Sequence, residues 1–148
     1  MSVIAIISDS NGSGKTATAS ALKIQLEKVG IGLNLIKLYS SSENSEVEDK
    51  IYSQLQPRSK EPTCIAIDSK EINKTDIQNL KSIVKKTTTG KNTLAIEITS
   101  SLNDDIVETI INELDAKILI VSAHTSNCLL YTSPSPRDKR QCRMQSCA

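Results

Sequence analysis

Residues 3–16 read VIAIISDSNGSGKT, and this stretch decides the fold. The unbroken apolar run over 3–7 predicts a buried strand, and the glycines that follow allow a tight turn. A helix-like stretch opens at Lys15 and Thr16, so the chain passes from strand through turn into helix. Backbone amides in such a turn and the positive end of the helix both attract an anion. We interpret the stretch as a phosphate-binding loop.

The chemistry of this loop gives its side chains separate tasks. Lys15 is placed to reach the outer phosphates of a nucleotide, and the Thr16 hydroxyl is placed to bind Mg²⁺. The common pattern has a glycine five positions before Gly14, where this chain has Asp9. We expect ATP to be held by consecutive residues of the loop: Asn11, Gly12, Ser13, Gly14, Lys15 and Thr16.

The other end of the chain has a different character. Residues 128–138 (CLLYTSPSPRD) resemble the in-frame translation of a transposon-end sequencing adapter, whose codons TGT CTC TTA TAC ACA TCT encode the start of this run. The composition would also fit a disordered natural tail. We expect residues 128–148 to be non-native and disordered and leave them out of fold reasoning. The predicted domain is residues 1–127, and we expect the natural chain to continue past it.

Composition bounds the classes of function. The tail holds four of the 18 basic and one of the 17 acidic residues, so residues 1–127 carry 14 basic against 16 acidic residues, a net charge of −2. Nothing indicates the clustered basic charge of a nucleic-acid surface. We find no signal peptide and no apolar stretch of membrane-spanning length, so we expect a cytoplasmic protein without membrane contact. Cys64 opens an apolar run and is expected to be a small buried hydrophobe.

Short apolar runs alternate with amphipathic stretches throughout the domain. The runs are 3–7, 33–38, 64–67, 93–98 and 117–121. Each is rich in Ile, Leu or Val and nearly unbroken, as expected for parallel strands buried on both faces. The alternation predicts an α/β fold of the P-loop NTPase type, a doubly wound parallel sheet with helices on both faces.

Four amphipathic stretches between these runs predict helices. Their apolar faces are, in chain order, Leu22, Leu26 and Val29; Val47, Ile51 and Leu55; Ile77, Leu80 and Val84; and Ile106, Ile110 and Leu114. Gly30 is expected to stop the first helix, and Asn103 with the two aspartates after it to begin the last. The second helix, within residues 45–55, has the weakest pattern.

A phosphate loop needs carboxylates from the ends of other parallel strands to help hold Mg²⁺. Glu97 lies in an otherwise apolar strand, where a carboxylate is unfavourable unless it is paired or bound to metal. The alternative is a strand-edge charge that reaches solvent. Asp68 ends an apolar run but suits a turn or a helix cap equally. The remaining candidates are Glu46, Glu48 and Asp49, which would also stabilise a helix start.

Two basic residues complete the set of polar candidates. Lys37 lies near the end of the second run, close to the phosphate loop by topology, and could neutralise a substrate carboxylate or a phosphate. The alternative is a lysine that extends its ammonium group into solvent from a strand end. His124, the single histidine, follows the last run and receives no role.

Taken together, the phosphate loop, Lys37 and Glu97 resemble dethiobiotin synthetase and the related ATPase-like domains at the N-terminus of some phosphotransacetylases. The resemblance spans most of residues 1–127. In that family the loop reads Gly-Thr-Asp-Thr-Gly-x-Gly-Lys-Thr, against SDSNGSGKT at 8–16 here. The partition ATPases of the same superclass carry an additional lysine before their glycines, where this chain has Ser10.

The resemblance implies that ATP and Mg²⁺ bind at the phosphate loop and Glu97. It also implies that Lys15 and Lys37 act in catalysis, with Lys37 on the side of a small-molecule substrate. The synthetase forms a carbamate on a diamino substrate, activates it with the γ-phosphate of ATP and closes a ring. Its Glu-Gly-Ala-Gly-Gly is EITSS at 97–101 here, without the glycines, so the prediction stops at an ATP-dependent ligase-like enzyme. The family also admits a homodimer.

Two alternatives to this enzyme stay open. One is a nucleotide-sensing regulatory domain of a phosphotransacetylase-like protein, in which ATP binding controls an attached domain. The other is an inactive truncated fragment that lacks the segment expected to hold the adenine.

Overall fold

The computed structural model describes residues 2–10, 12–42, 50–57, 62–88 and 92–123. Within these ranges five strands alternate with four helices. The elements are β1 (Val3–Ser8), α1 (Lys15–Lys28), β2 (Leu33–Ser40), α2 (Lys50–Leu55), β3 (Cys64–Ile67), α3 (Lys74–Thr87), β4 (Thr93–Ile98), α4 (Asp104–Leu114) and β5 (Lys117–Val121). The predicted alternation of strand and helix is confirmed, as are all five apolar runs as strands.

The strands form one parallel sheet in the order β3-β2-β4-β1-β5. From β1 the chain crosses through α1 to β2 on one side, and from β4 it crosses through α4 to β5 on the other. The connections therefore diverge between the neighbouring strands β1 and β4. In open parallel sheets this divergence opens a crevice at the carboxyl ends of the two strands, where ligands bind.

Alternate side chains of the strands feed two apolar cores, one on each face of the sheet. The core under α1 and α2 contains Ile6, Ala19, Leu33, Leu35, Tyr52 and Ala95. The larger core under α3 and α4 is built from Val3, Ala5, Ile36, Leu38, Ile67, Leu80, Val84, Leu94, Ile96, Ile98, Leu102, Ile106 and Ile110. The α/β fold with a parallel sheet and helices on both faces is thereby confirmed.

The prediction that every strand is buried on both faces is wrong for the two edge strands. Ile118 and Ile120 of β5 are exposed, Ile120 by 67%. Cys64, expected to be buried, is only half-buried because it opens the edge strand β3. An apolar run predicts a strand, but its place in the sheet decides how many of its faces are covered.

Helix ends follow the predicted signals, with one apolar face assigned wrongly. Gly30 has φ +80 and stops α1, as expected. Val29, assigned to the apolar face, is instead 69% exposed, because the helix ends at Lys28. Asn103 caps α4 by accepting a hydrogen bond from the amide of Asp105, as predicted.

The second helix differs most from its prediction. It begins at Lys50, and residues 45–49, including Val47, lie outside the described residues. Ile51, expected on the apolar face, is exposed, whereas the adjacent Tyr52 is fully buried. Leu55 of the predicted face packs against the core under α1, so the prediction is wrong at Ile51, where the neighbouring Tyr52 enters the core instead.

Side chains complete the hydrogen bonding of β2 where β3 does not reach. The Gln56 side chain takes the place of a strand by bonding both the N–H and the C=O of Leu35. Two residues earlier in β2, the Leu33 carbonyl accepts a hydrogen bond from Lys23 of α1 at 2.7 Å. Gln56 directly follows α2, so these bonds hold α2 at a defined position beside β2.

Candidate functional site

The connection from β1 to α1 has the backbone geometry that its glycines predict. Gly12 has φ +75 and Gly14 has φ +90, in the left-handed region that other residues rarely adopt. Apart from each glycine itself and its two chain neighbours, no described atom lies within 4 Å of the place where a Cβ would stand on either residue. The backbone is therefore open to a ligand at both positions. Asn11, between them and β1, lies outside the described residues.

The amino end of α1 offers unused hydrogen-bond donors. Gly14 is its N-cap, no side chain of the described residues caps it, and its first turn holds no acidic residue. The first amides of any helix lack an intrahelical partner and carry the positive end of the helix dipole. Beside them, Ser13 Oγ is buried without a hydrogen-bond partner among the described residues. A buried polar atom of this kind usually marks the place of a missing partner.

Lys15 lies within this amino end and is 7% exposed. Its Nζ donates to Ser8 Oγ at 2.5 Å, which ties the first residue of α1 to the last residue of β1. Burial lowers the pKa of the Lys15 ammonium below its ordinary 10.5; Glu97 opposes the shift, Lys37 adds to it, and Asp9 opposes it. An anionic ligand would relieve this burial of charge, since it offers the ammonium a partner.

Thr16 connects α1 to β4. Its hydroxyl donates to the Glu97 carboxylate, with the two carboxylate oxygens at 2.9 and 3.0 Å. A hydroxyl has one hydrogen and two acceptor lone pairs, so this bond leaves the Thr16 oxygen able to bind a cation. A hydroxyl beside a carboxylate is the kind of oxygen donor set that Mg²⁺ prefers.

Glu97 is 3% exposed, so the alternative of a strand-edge charge that reaches solvent is wrong. Besides Thr16 it has two partners in the described structure. The Tyr52 hydroxyl donates to Oε2 at 2.5 Å, and Lys37 Nζ lies 3.6 Å from Oε1. These partners compensate for the burial of the carboxylate, which would otherwise be strongly unfavourable.

Strand register explains how Lys37 and Glu97 meet. Glu97 pairs with Ile6 on one side and with Lys37 on the other, so the three lie in one row across the sheet. Their side chains point to the face that α1 covers, because they alternate with residues of the opposite core. The predicted proximity of Lys37 to the phosphate loop is confirmed.

These residues surround a cavity of about 430 Å³, which we call the phosphate cavity. Its lining is formed by Gly12, Ser13, Gly14, Lys15, Thr16, Ala17, Lys37, Ile51, Glu97 and Thr99. Every predicted loop residue that the structure describes is among them, and so are both residues predicted from other strands. Two ammonium groups, one carboxylate and an uncapped helix end therefore share one opening.

A second cavity of about 340 Å³ lies at the divergence of β1 and β4, beside α4. Its lining includes Asp9, Ser100 and Asp104. The Asp9 carboxylate accepts hydrogen bonds from Ser10 and Ser122 and does not line the phosphate cavity. The departure from the common loop pattern at this position thus places an acidic group outside the phosphate cavity.

Asp68, the remaining carboxylate candidate that the structure describes, does not line the phosphate cavity. Asp68 is exposed and accepts a hydrogen bond from the Lys70 amide, as its turn interpretation predicts. Among the residues that the structure describes, no group of three or more His, Cys, Asp or Glu could hold a metal. Four further residues lie outside the described ranges: Glu46, Glu48, Asp49 and His124.

Sequence reasoning missed two residues of this site. Ser8 directly follows the first apolar run and was treated only as part of the loop, although it ends β1 and anchors Lys15. Tyr52 lies on the weak second helix, three residues before Leu55. Both residues contribute to the core under α1, but in a helix of six residues this spacing does not tell Tyr52 from Ile51, which also precedes Leu55 at a helical spacing.

Comparison with family models, with curated proteins and with solved structures gives no match. The resemblance to dethiobiotin synthetases therefore stays a prediction. In the described part of the chain, none of the helices has the length and apolar character needed to cross a bilayer.

Proposed function

We propose that this chain binds Mg²⁺ and ATP in the phosphate cavity, as a member of the P-loop NTPase class. One observation carries the proposal. The amino end of α1, started by Gly14 and left without a side-chain cap, stands beside Lys15 and is joined to Glu97 through Thr16. Lys15 and the helix start can bind an anion, and the adjacent Thr16 with Glu97 can bind a cation. A metal–phosphate ligand requires both kinds of group side by side.

The residues present fit such a ligand. The amides at the start of α1 and the Lys15 ammonium would hold phosphate oxygens, and the Ser13 hydroxyl, which has no partner among the described residues, gives a further donor. The oxygens of Thr16 and Glu97 would hold Mg²⁺, directly or through water. The cation, when bound, supplies neutralisation of charge on the phosphates.

Lys37 extends the proposal from binding to group transfer. Its side chain is 15% exposed and lines the cavity opposite the phosphate loop. An ammonium at this place would attract a small acidic acceptor and stabilise negative charge that develops on a phosphoryl group during transfer. This supports an ATP-dependent ligase-like activity, in line with the resemblance to dethiobiotin synthetases.

Replacement of Lys15 by alanine tests the proposed binding. The change removes a charge-assisted contact worth about 1.5–3 kcal/mol, so we expect the affinity for Mg·ATP to fall about ten- to hundredfold. Lys28→Ala is the matched control, because Lys28 is exposed in the last turn of the same helix. Isothermal titration calorimetry measures both. Equal affinity of Lys15→Ala and the unchanged chain, or no ATP binding by the unchanged chain, contradicts the proposal.

A further inference from the structure

Tyr52 makes a contact that the proposed function does not use. It is the first fully buried residue of α2, and its hydroxyl donates to Glu97 Oε2 at 2.5 Å. A hydrogen bond from a hydroxyl to a carboxylate is short and roughly twice as strong as a bond between neutral groups. The ring itself is packed in the core under α1.

The position of this hydroxyl is held from two sides. The ring lies among Ile6, Ala19, Leu33, Leu35 and Ala95, which belong to three strands and to α1. Gln56, one helical turn after Tyr52, bonds both backbone groups of Leu35. A donor fixed in this way can in turn fix the group that accepts from it.

The two oxygens of Glu97 consequently have different surroundings. Oε2 accepts from the buried Tyr52 hydroxyl, whereas Oε1 is the oxygen nearest to Lys37 in the described structure. Thr16 contacts both oxygens. Tyr52 therefore holds Oε2, while Oε1 lies beside Lys37, which lines the phosphate cavity.

We propose that Tyr52 is a positioning residue for the metal site, which orients Glu97 so that the carboxylate can serve a divalent cation held by Thr16. This inference rests on the proposed function. Tyr52 does not line the phosphate cavity, so we expect its effect to be confined to the part of ATP affinity that depends on the metal. Loss of an outer partner of a metal-binding carboxylate typically weakens metal binding about ten- to hundredfold.

The variant Tyr52→Phe removes the hydroxyl and keeps the ring in the core. ATP affinity is measured by calorimetry with Mg²⁺ and with a chelator in its place. We expect the gain in affinity from Mg²⁺ to fall about ten- to hundredfold in Tyr52→Phe, while the affinity without metal equals that of the unchanged chain. Tyr39→Phe, which loses the same hydroxyl on β2 outside the lining of the cavity, should keep both affinities.

Two results overturn the inference while the proposed function stands. One is an unchanged gain from Mg²⁺ in Tyr52→Phe. The other is an equal loss with and without metal, which would make Tyr52 a structural residue. If the unchanged chain binds no ATP under either condition, the proposed function fails and the inference falls with it.

A spectroscopic measurement covers the case that Tyr52→Phe does not fold. The chain has three tyrosines and no tryptophan, so its emission reports on tyrosine alone. A phenol bonded to a carboxylate is quenched, and a cation that draws charge from Glu97 weakens the quenching. We then expect Mg²⁺ to raise the emission of the ATP-bound chain, and of Tyr39→Phe as well. Unchanged emission overturns the inference.

Discussion

Helices α1 and α4 both begin at the same edge of the sheet, after neighbouring strands, yet their amino ends are built in opposite ways. The end of α4 is complete in itself: Asn103 caps it, and Asp104 and Asp105 place negative charge in its first turn. The end of α1 has Gly14 in place of a capping side chain and carries a lysine where α4 carries acids. The first backbone amides of α1 and the positive end of its dipole are therefore available to an anionic ligand.

The cavities beside the two helices differ in the same sense. Two lysines, Lys15 and Lys37, line the phosphate cavity at α1. Two aspartates, Asp9 and Asp104, line the cavity at α4. An anion that reaches this edge of the sheet is attracted by the first opening and repelled by the second. The comparison teaches that an incomplete helix end, next to a complete one on the same scaffold, is the better guide to a ligand than the fold.

The largest effect is expected when the start of α1 is made to resemble that of α4. Ala17→Asp adds an exposed carboxylate to the first turn of α1, on the wall of the phosphate cavity. A like charge about 4 Å from a phosphate costs about 4 kcal/mol near a protein surface, so Mg·ATP affinity should fall a hundredfold or more. The domain itself should gain about 0.3–1 kcal/mol from the helix dipole.

Ala21→Asp is the control for this change, since it adds the same charge one turn further along α1 at another exposed alanine. Calorimetry for affinity and urea unfolding for stability separate the two effects. If Ala17→Asp binds Mg·ATP as well as Ala21→Asp, the amino end of α1 is not the phosphate receptor.

The sequence predicts the residues of the phosphate loop more completely than the way in which the other strands join it. The phosphate loop is contiguous, so its residue types and their order are visible without any tertiary structure. Glu97 was found because a carboxylate inside an apolar run is unfavourable without a partner, and Lys37 because it lies near the end of the second run, close to the loop by topology. The strand register that brings them together is a tertiary property, and only the direction of the strands followed from the sequence.

Tyr52 and the order of the strands could not be derived in this way. The helix that carries Tyr52 has six residues, too short for a spacing pattern to separate its two sides. Its burial depends on Gln56 holding α2 beside β2, a contact between segments far apart in the chain. Likewise, exposure of Ile120 follows from the place of β5 at an edge, which its apolar composition does not reveal.

A smaller effect is expected at the capped amino end of α4, and it should concern the stability of the fold alone. Asn103→Ala removes the side chain that accepts from the Asp105 amide. Loss of an N-cap typically costs about 1 kcal/mol, which urea unfolding resolves. Because α4 supplies no residue to the phosphate cavity, Mg·ATP affinity should stay as it is. Asn103→Asp, which keeps a capping oxygen, should restore stability; a loss of ATP affinity in Asn103→Ala would mean that the two helix ends are coupled.

The smallest effect is expected from the removal of the Lys15 charge, which lies at the positive end of the α1 dipole. Lys15→Met keeps much of the side-chain volume and removes a buried ammonium from the positive end of a helix, so the ligand-free domain should gain about 0.3–1 kcal/mol at neutral pH.

The gain in stability of Lys15→Met should depend on pH, because the pKa of Lys15 differs between the folded and the unfolded chain. Burial holds the pKa of Lys15 in the folded chain below the 10.5 of the unfolded chain. Between these two pKa values the unfolded chain binds more protons than the folded chain. The stability that Lys15 contributes therefore rises with pH in this range. The advantage of Lys15→Met should therefore be full below the folded pKa and shrink as the pH rises toward 10.5. Urea unfolding of both chains across this range measures it, with Lys28→Met as the exposed control. A variant that is less stable than the unchanged chain at neutral pH would show that the Ser8 contact outweighs the burial of charge, and that α1 does not need a ligand to complete its amino end.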